Sequence, residues 1–207
     1  MTFTVCALAL LLDHFLGEPR RRHPLVGFGL LASATEKHFY GAENESINAR
    51  RLRGLAALLA LLIPCVGLTF WLNDSLRGWP LTQGIFAALI LYFCIGLNSL
   101  AQHARAVMEP LASSSMDEAR AQVGKIVSRD TQEADATQVA RATIESVLEN
   151  GNDAVFAALF WFVLLGAPGA VLFRAANTLD ALWGYRTPRY ENFGKAAALF
   201  DDALNYS

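Results

Sequence analysis

The chain has 207 residues, of which 54% are hydrophobic and 17% charged, and its formal net charge is −2 at pH 7. This composition is more apolar than that of ordinary soluble domains and fits one modest membrane protein. The weak negative charge argues against a general nucleic-acid binder. Three cysteines, at positions 6, 65 and 94, lie in apolar runs without ligand spacing, so neither a zinc site nor a disulfide framework is implied.

The first apolar segment, residues 3–16, is short for a membrane crossing, which requires about 20 residues. It predicts a tilted or partly embedded helix. The next segment is rich in charge and contains Pro19 and Pro24, which exclude a continuous helix there. Its three consecutive arginines, residues 20–22, are typical of a cytoplasmic membrane anchor.

Two long apolar stretches, residues 54–73 and 84–100, contain no charged residue and predict a transmembrane hairpin. Pro64 predicts a kink in the first span. Trp71 and Trp79 are placed as interfacial anchors near the turn between the spans. Positive residues precede the first span and follow the second, which predicts that both flanks are cytoplasmic.

Amphipathic helices are predicted between the hairpin and residue 151. Ser115 and Asp135 each precede a Glu or Gln by three positions, which is the pattern of a capping box. The second of these helices is expected to end at Asn150-Gly151. One of its faces carries a polar stripe formed by Arg141, Glu145 and Glu149. The stripe is either a solvated face or part of a site, since it leads into Asp153 and then into an apolar run.

The apolar run 154–165 has about 12 residues, or roughly 18 Å of helix, and reaches about half way across a bilayer. It meets the strong helix breaker Gly166-Ala-Pro-Gly169. A single span here would put the positive residues between 174 and 195 outside the cell, against the positive-inside bias. A re-entrant helical hairpin at about 154–183 returns them to the cytoplasm, and we predict this hairpin.

Asn and Asp residues one helical turn apart occur twice in the tail, as Asn177 with Asp180 and as Asp201 or Asp202 with Asn205. Such pairs either hold a divalent ion or cap helices. The uncharged spans disfavour an ion path, and therefore a transporter. The sequence predicts an all-α, polytopic helical integral membrane protein, residues 1–207 forming a single membrane-embedded domain, with an acid- and amide-rich cluster facing the cytoplasm.

Five ordered motifs together resemble a known family. They are Asp13-x-x-x-Gly17-Glu18-Pro19 with His23-Pro24, Ser128-Arg129-Asp130-Thr131, Glu145-x-x-x-Glu149-Asn150-x-x-Asp153, Ala176-Asn177-Thr178-Leu179-Asp180, and Asp201-Asp202-x-x-Asn205-Tyr206. With them the sequence resembles the adenosylcobinamide-phosphate synthase (CobD/CbiB) family of cobalamin biosynthesis membrane proteins. Many members have Gly and Pro where this chain has Ala154 and Ala158. Members usually continue into further membrane helix, so this chain is expected to be incomplete at its C-terminus.

The resemblance implies an enzyme of the bacterial inner membrane with a cytoplasmic active face. Such an enzyme joins aminopropanol or its phosphate to a propionate carboxylate of adenosylcobyric acid, a corrinoid, with ATP and Mg²⁺. The implied partners are these substrates, the lipid bilayer and other corrin-assembly membrane proteins, and no nucleic acid. A non-catalytic scaffold or signalling protein on the same fold, and a transporter, remain as alternatives.

Roles for the motif residues follow from their chemistry. The candidate catalytic residues are Glu145, Glu149 and Asp153, with either glutamate taking the proton from the attacking ammonium. The candidate Mg²⁺ ligands are Asp153, Asp180, Asp201 and Asp202. Arg129 and Lys195 suit phosphate binding. The other candidate binding residues are Asp130, Thr131, Asn150, Asn177, Asn205 and His23, of which His23 is either an alternative base or structural.

Overall fold

The computed structural model describes residues 2–19, 23–42, 45–127 and 130–206. These residues form helices and their connections and contain no strand, which confirms the predicted all-α class. In chain order the helices are α1 (Thr2–Leu16), α2 (Pro24–Phe39), α3 (Ile47–Ser75), α4 (Pro80–Cys94), α5 (Leu97–Ala112), α6 (Met116–Val123), α7 (Ala136–Gly151), a π-helical turn (Asn152–Phe156), α8 (Ala157–Leu165), α9 (Ala167–Trp183), α10 (Tyr190–Phe193) and α11 (Lys195–Asn205).

Three helical stretches of the described chain are long and apolar enough to cross a membrane: Ile47–Ser75, Pro80–Ala112 and Ala136–Leu165. The first contains the whole predicted span 54–73. The second differs from the predicted span 84–100, because α4 ends at Cys94 and α5 begins at Leu97. At this break the Gly96 N–H bonds the Ala154 carbonyl and the Asn98 N–H bonds the Asp13 carboxylate. These backbone groups therefore have partners without a continuous helix.

The surface of the α3–α4 hairpin is apolar. Leu59, Ile63, Leu68 and Phe70 on α3 are each at least 43% exposed, which would be costly in water and suits contact with lipid. Trp71 and Trp79 are exposed beside the turn between the two helices, as expected for interfacial anchors. The exposed apolar surface and the three long helices agree with a polytopic membrane protein.

The predicted hairpin over residues 154–183 is present as the antiparallel pair α8 and α9. Gly166 joins them with a φ of +68°, a conformation that favours glycine. At Gly169 a Cβ would collide with the carbonyl oxygen of Trp161, so glycine lets the two helices approach closely. The depth of this pair in a membrane stays a prediction.

Some of the predicted helix caps and helix ends are present in the structure, and others are not. The capping box of Asp135 and Gln138 is confirmed, with both reciprocal hydrogen bonds formed. The helix after Ser115 begins at Met116 as predicted, but the predicted capping box is absent, because the Ser115 side chain makes no capping bond to α6. The predicted end of α7 at Asn150-Gly151 is confirmed, although the backbone stays helical beyond it, through the π-helical turn into α8.

Helix α9 lies at the centre of the fold and packs against α2, α3, α4, α8 and α11. Its fully buried residues Phe173, Leu179 and Trp183 join two of the hydrophobic clusters. A third cluster, around Val107 and Val139, holds α5, α6 and α7 together. Because α9 is anchored on most sides, the polar residues on its remaining face have well-defined positions.

Candidate active site

A cavity of 660 Å³ opens where α5, α7, the π-helical turn, α9 and α11 meet, and we call it the central cavity. Three of its carboxylates come from different elements: Asp153, Asp180 and Asp201. Polar residues that also line it are Glu18, Ser99, His103, Lys125, Ser146, Asn150, Arg174 and Asn177. The sequence motifs that contain Asp153, Asp180 and Asp201 therefore converge on one cavity.

The π-helical turn positions Asp153. Its extra residue per turn releases a carbonyl from the regular ladder, and Gly96 at the α4–α5 break donates its N–H to the carbonyl of Ala154 at 3.0 Å. On the preceding turn, Asn150 donates to the Ser146 carbonyl at 2.8 Å. The α4–α5 break and the π-helical turn thus supply hydrogen-bond partners for each other's backbone groups, and together they form one wall of the cavity.

Helix α9 returns Asn177 and Asp180 to the same cavity. The two side chains lie one turn apart, on the same side of α9 as Phe173, which is buried one turn before Asn177. The predicted consequence of the hairpin, that it brings these residues back beside Asp153, is confirmed.

Asp201 is the most buried carboxylate of the cavity, with 6% of its surface exposed. Asn205 donates to its Oδ2 at 3.1 Å, whereas Oδ1 of Asp201 and Oδ1 of Asn205 are buried without a hydrogen-bond partner among the described residues. Burial, reinforced by the negative charges of Asp180 and Asp153, raises the pKa of Asp201 to about 6, against hydrogen bonds from Asn177 and Asn205 that lower it. The three carboxylates are therefore close enough to repel one another.

The fit of a magnesium ion rests on these unpartnered oxygens. Hard carboxylate and amide oxygens are suitable ligands, and Mg²⁺ commonly takes only one or two from the protein, with waters and substrate phosphates completing its shell. Among the described residues, no three His, Cys, Asp or Glu side chains converge closely enough to hold a metal ion by themselves. The donor set fits an ion that arrives with a phosphate ligand.

A second opening of 430 Å³ adjoins the central cavity at Asp180, and we call it the side pocket. The predicted residues Lys195 and Asp202 line it, together with Arg186 and Tyr185. It places two cations and an exposed aromatic ring next to a carboxylate of the central cavity.

Other predicted residues lie elsewhere. Asp130, Thr131 and Glu145 line a separate depression on α6 and α7, and Glu145 accepts a hydrogen bond from Arg141 at 2.8 Å. Glu149 is exposed and does not line the central cavity. Arg129 lies outside the described residues. Asn205 holds Asp201 and borders a shallow groove beside Asn152.

His23 has a structural position. Its Nδ1 accepts a hydrogen bond from the Leu25 backbone at 3.2 Å and caps α2. Its Nε2 lies 3.8 Å from Glu18, on a cavity adjoining the central one. The pKa of His23 is lowered, first because the side chain is buried. The negative charge of Glu18 opposes this lowering, and the positive charge of Arg174 adds to it.

Sequence reasoning missed several residues of the site. Arg174, Ser99 and His103 line the central cavity but belong to none of the motif assignments. The signal for Arg174 was a lone charge in the apolar hairpin. Asp13 is a motif residue whose role is structural: it is 1% exposed, and its carboxylate accepts the Asn98 N–H at 2.8 Å, capping α5 at the helix break.

Comparisons with known proteins give one consistent match. Residues 6–207 match the family described as CobD/Cbib protein. The chain is 58% identical over 201 residues to a cobalamin biosynthesis protein CobD of Chromobacterium violaceum, covering 96% of the chain and 63% of that relative. It is 52% identical over 198 residues to the protein of the same name from Stutzerimonas stutzeri, with the same coverage.

A more distant relative is the probable cobalamin biosynthesis protein CobD of Pyrococcus abyssi, 41% identical over 206 residues, covering 96% of the chain and 65% of the relative. The chain thus spans less than two thirds of the length of these relatives. No solved structure matches it.

Proposed function

The chain belongs to the CobD/CbiB family of cobalamin biosynthesis proteins, and on this premise we propose that it carries the active site of an ATP-dependent amide synthase. The reaction joins aminopropanol, or its phosphate, to a propionate carboxylate of adenosylcobyric acid. The observation that carries the proposal is the convergence of Asp153, Asp180 and Asp201 on one cavity, with unpartnered oxygens on Asp201 and Asn205.

Amide formation requires an activated carboxylate, because the free carboxylate does not condense with an amine in water. ATP supplies that activation when it is bound, and Mg²⁺ balances its phosphate charge. We place the nucleotide in the side pocket, where Lys195 and Arg186 suit phosphate oxygens and the Tyr185 ring is exposed. Asp180, which borders both openings, and Asp201 with Asn205 would hold the metal ion.

The amine reacts only after its ammonium has lost a proton. A carboxylate that accepts this proton works best when its pKa lies close to the operating pH. Burial and its acidic neighbours raise the pKa of Asp201 to about 6, but a carboxylate that holds a metal ion does not accept this proton at the same time. We therefore propose Asp153, which lines the same cavity and is not assigned to the metal ion, as proton acceptor, with Asn150 and Asn177 orienting the amine or carboxylate by hydrogen bonds. The proton role of Glu145 and Glu149 remains an untested prediction.

We also propose that the cavity faces the cytoplasm of a bacterial inner membrane, where ATP is available. Cysteine labelling tests this side. In a protein without native cysteines, Ala181→Cys at the cavity should resist an external membrane-impermeant maleimide. Gly78→Cys at the α3–α4 turn should react. Labelling of Ala181→Cys from outside would overturn both the re-entrant hairpin and the cytoplasmic site.

Complementation tests the reaction. The full-length gene should restore conversion of cobyric acid to cobinamide in a strain blocked at that step, and membranes containing the protein should form the amide with ATP. A scaffold would restore assembly without forming the amide in isolated membranes, and a transporter would restore only uptake. Either result would contradict the proposed enzyme.

A further inference from the structure

Arg174 is a cation that the proposed chemistry has not used. It lies in the middle of α9, inside the hairpin, and its side chain borders the central cavity. Its Nε atom is buried and has no hydrogen-bond partner, and the guanidinium forms no ion pair within the described part of the chain. The side chain as a whole is half-buried, and a guanidinium N–H that is buried without a partner is costly, which favours an anion beside it.

Arg174 and Asp180 lie six residues apart on α9, about 9 Å along its axis, so Arg174 borders the cavity away from its acidic end, where Asp153, Asp180 and Asp201 lie. Asp153, Asp180 and Asp201 act on one another, and the charges that shift the pKa of Asp201 are all acidic. Arg174 acts instead on His23, beside Glu18 on the adjoining cavity. Glu18 and Lys125 also border the cavity, so neither end carries charges of one sign only. The three aspartates nevertheless suit a cation, and the unpartnered Nε of Arg174 suits an anion, as a site for an amine and an oxyanion requires.

We propose that Arg174 is the oxyanion-binding residue of the central cavity and holds the carboxylate or phosphate of a reactant opposite the acidic end. A guanidinium offers a planar pair of N–H donors that matches either group. The proposal rests on the proposed function for the identity of the reactant. The oxyanion site itself rests on the cavity, the buried and unpartnered Nε of Arg174, and the distance along α9 between Arg174 and Asp180.

The first test uses inorganic phosphate as the probe, with the purified full-length protein in nanodiscs. Phosphate, compared with chloride at equal ionic strength, should raise the melting temperature of the wild-type protein, since a ligand of the native state stabilises it. Because Lys195 and Arg186 of the side pocket can also bind phosphate, the comparison is made in a Lys195→Gln background, where Arg174→Gln should lose this increment and Arg174→Lys should keep part of it. Arg105→Gln is the matched control, because Arg105 is exposed on α5 and does not line the cavity.

The second test identifies the oxyanion by equilibrium binding of two matched pairs: adenosylcobyric acid with its amide product, and aminopropanol phosphate with aminopropanol. Arg174→Gln should weaken binding of one oxyanion by about 10- to 100-fold, the usual effect of losing a charge-assisted hydrogen bond. Its uncharged counterpart should change by less than about threefold. The affected pair shows whether the bound group is the carboxylate or the phosphate.

The outcomes separate the two proposals. Loss of the phosphate increment in Arg174→Gln, with no binding of any reactant to the wild type, would leave the oxyanion site standing and contradict the proposed function. Equal weakening of all four ligands, or none, together with an unchanged phosphate increment, would overturn the role of Arg174. If Arg174→Gln does not fold, Arg174→Lys carries both tests, with a partial loss expected.

Discussion

The central cavity and the outer surface of α6 and α7 are both rich in motif residues, but their charged groups are in different states. On α7 and in the connection between α6 and α7 they have local partners: Arg141 donates to Glu145, and Asp130 accepts the Gln132 N–H at 3.0 Å. In the cavity, carboxylates from three distant elements share one space, and Asp201 keeps an unpartnered oxygen. A dense run of charges in sequence can thus be a satisfied surface, whereas a site is marked by polar groups left without partners.

The largest expected effect is on the rate of amide synthesis, which should fall in cavity variants far more than in surface variants. Asp153→Asn and Asp180→Asn should each lower amide synthesis in membranes by about 100-fold or more, because each removes a charge from the reaction site. Asp130→Asn, outside the cavity, should lower the rate of amide synthesis by about tenfold at most. The measurement is the initial rate at equal protein in membrane vesicles. Full activity in both cavity variants would show that the site is misassigned.

The carboxylate of Asp201 should affect how the stability of the protein depends on pH. Its pKa is raised to about 6, so the folded state binds this proton more tightly than the unfolded state, and the resulting stabilisation is lost as pH rises through about 6. Asp201→Asn should therefore be more stable than the wild type at pH 8 by about 1–3 kcal/mol, with the difference narrowing toward pH 4.

Melting temperatures at pH 4.5, 6 and 8 test this difference, and the same variant should lose amide synthesis. Asp117→Asn, an exposed acid on α6, is the matched control and should show no comparable trend. A variant less stable than the wild type at pH 8 would show that Asp201 is a structural partner and not a strained functional group.

Close packing around α9 and α10 should matter more than packing on the outer surface of α3. A Cβ at Gly54 would collide with the Phe193 carbonyl oxygen, whereas a Cβ at Gly67 meets nothing within 4 Å. Gly54→Ala should destabilise the protein by about 1–3 kcal/mol through overpacking. Gly67→Ala, in the same helix, should not lower the melting temperature. Equal melting temperatures would show that α10 does not pack on α3 in this way.

The smallest effect is expected on the surface of α7. The Arg141–Glu145 pair is exposed and spaced one turn apart, so Arg141→Ala should shift the melting temperature by less than about 2 °C. Raising the salt concentration should remove even this shift. A large loss of amide synthesis in Glu145→Gln would restore α7 to the active site and contradict the contrast between the two regions.

The order of the sequence motifs and the geometry of the fold contribute differently to the assignment of the site. Motif order alone led to Asp153, Asp180 and Asp201, because each lies in a polar cluster beside an apolar helix. The same reasoning also favoured Glu145 and Glu149, which the structure places outside the cavity. Periodicity shows which residues share a helix face, but it does not show which face meets another element.

The sequence by itself determined the class of protein and most of its helices. Long uncharged apolar stretches require helices in lipid, since every backbone group must be satisfied within the segment. The breaker at Gly166 and Pro168 likewise determined the α8–α9 hairpin. These features depend on composition and local backbone preferences, which can be read without knowing the fold.

Only the tertiary structure decided how the site is assembled. The break at Ile95-Gly96 and the π-helical turn at Asn152 exist because Gly96 bonds the Ala154 carbonyl and Asp13 caps α5. Both bonds join residues more than 50 positions apart, so no local pattern predicts them. The same long-range packing leaves Arg174 facing a cavity, which turns a lone charge in an apolar hairpin into a candidate binding residue.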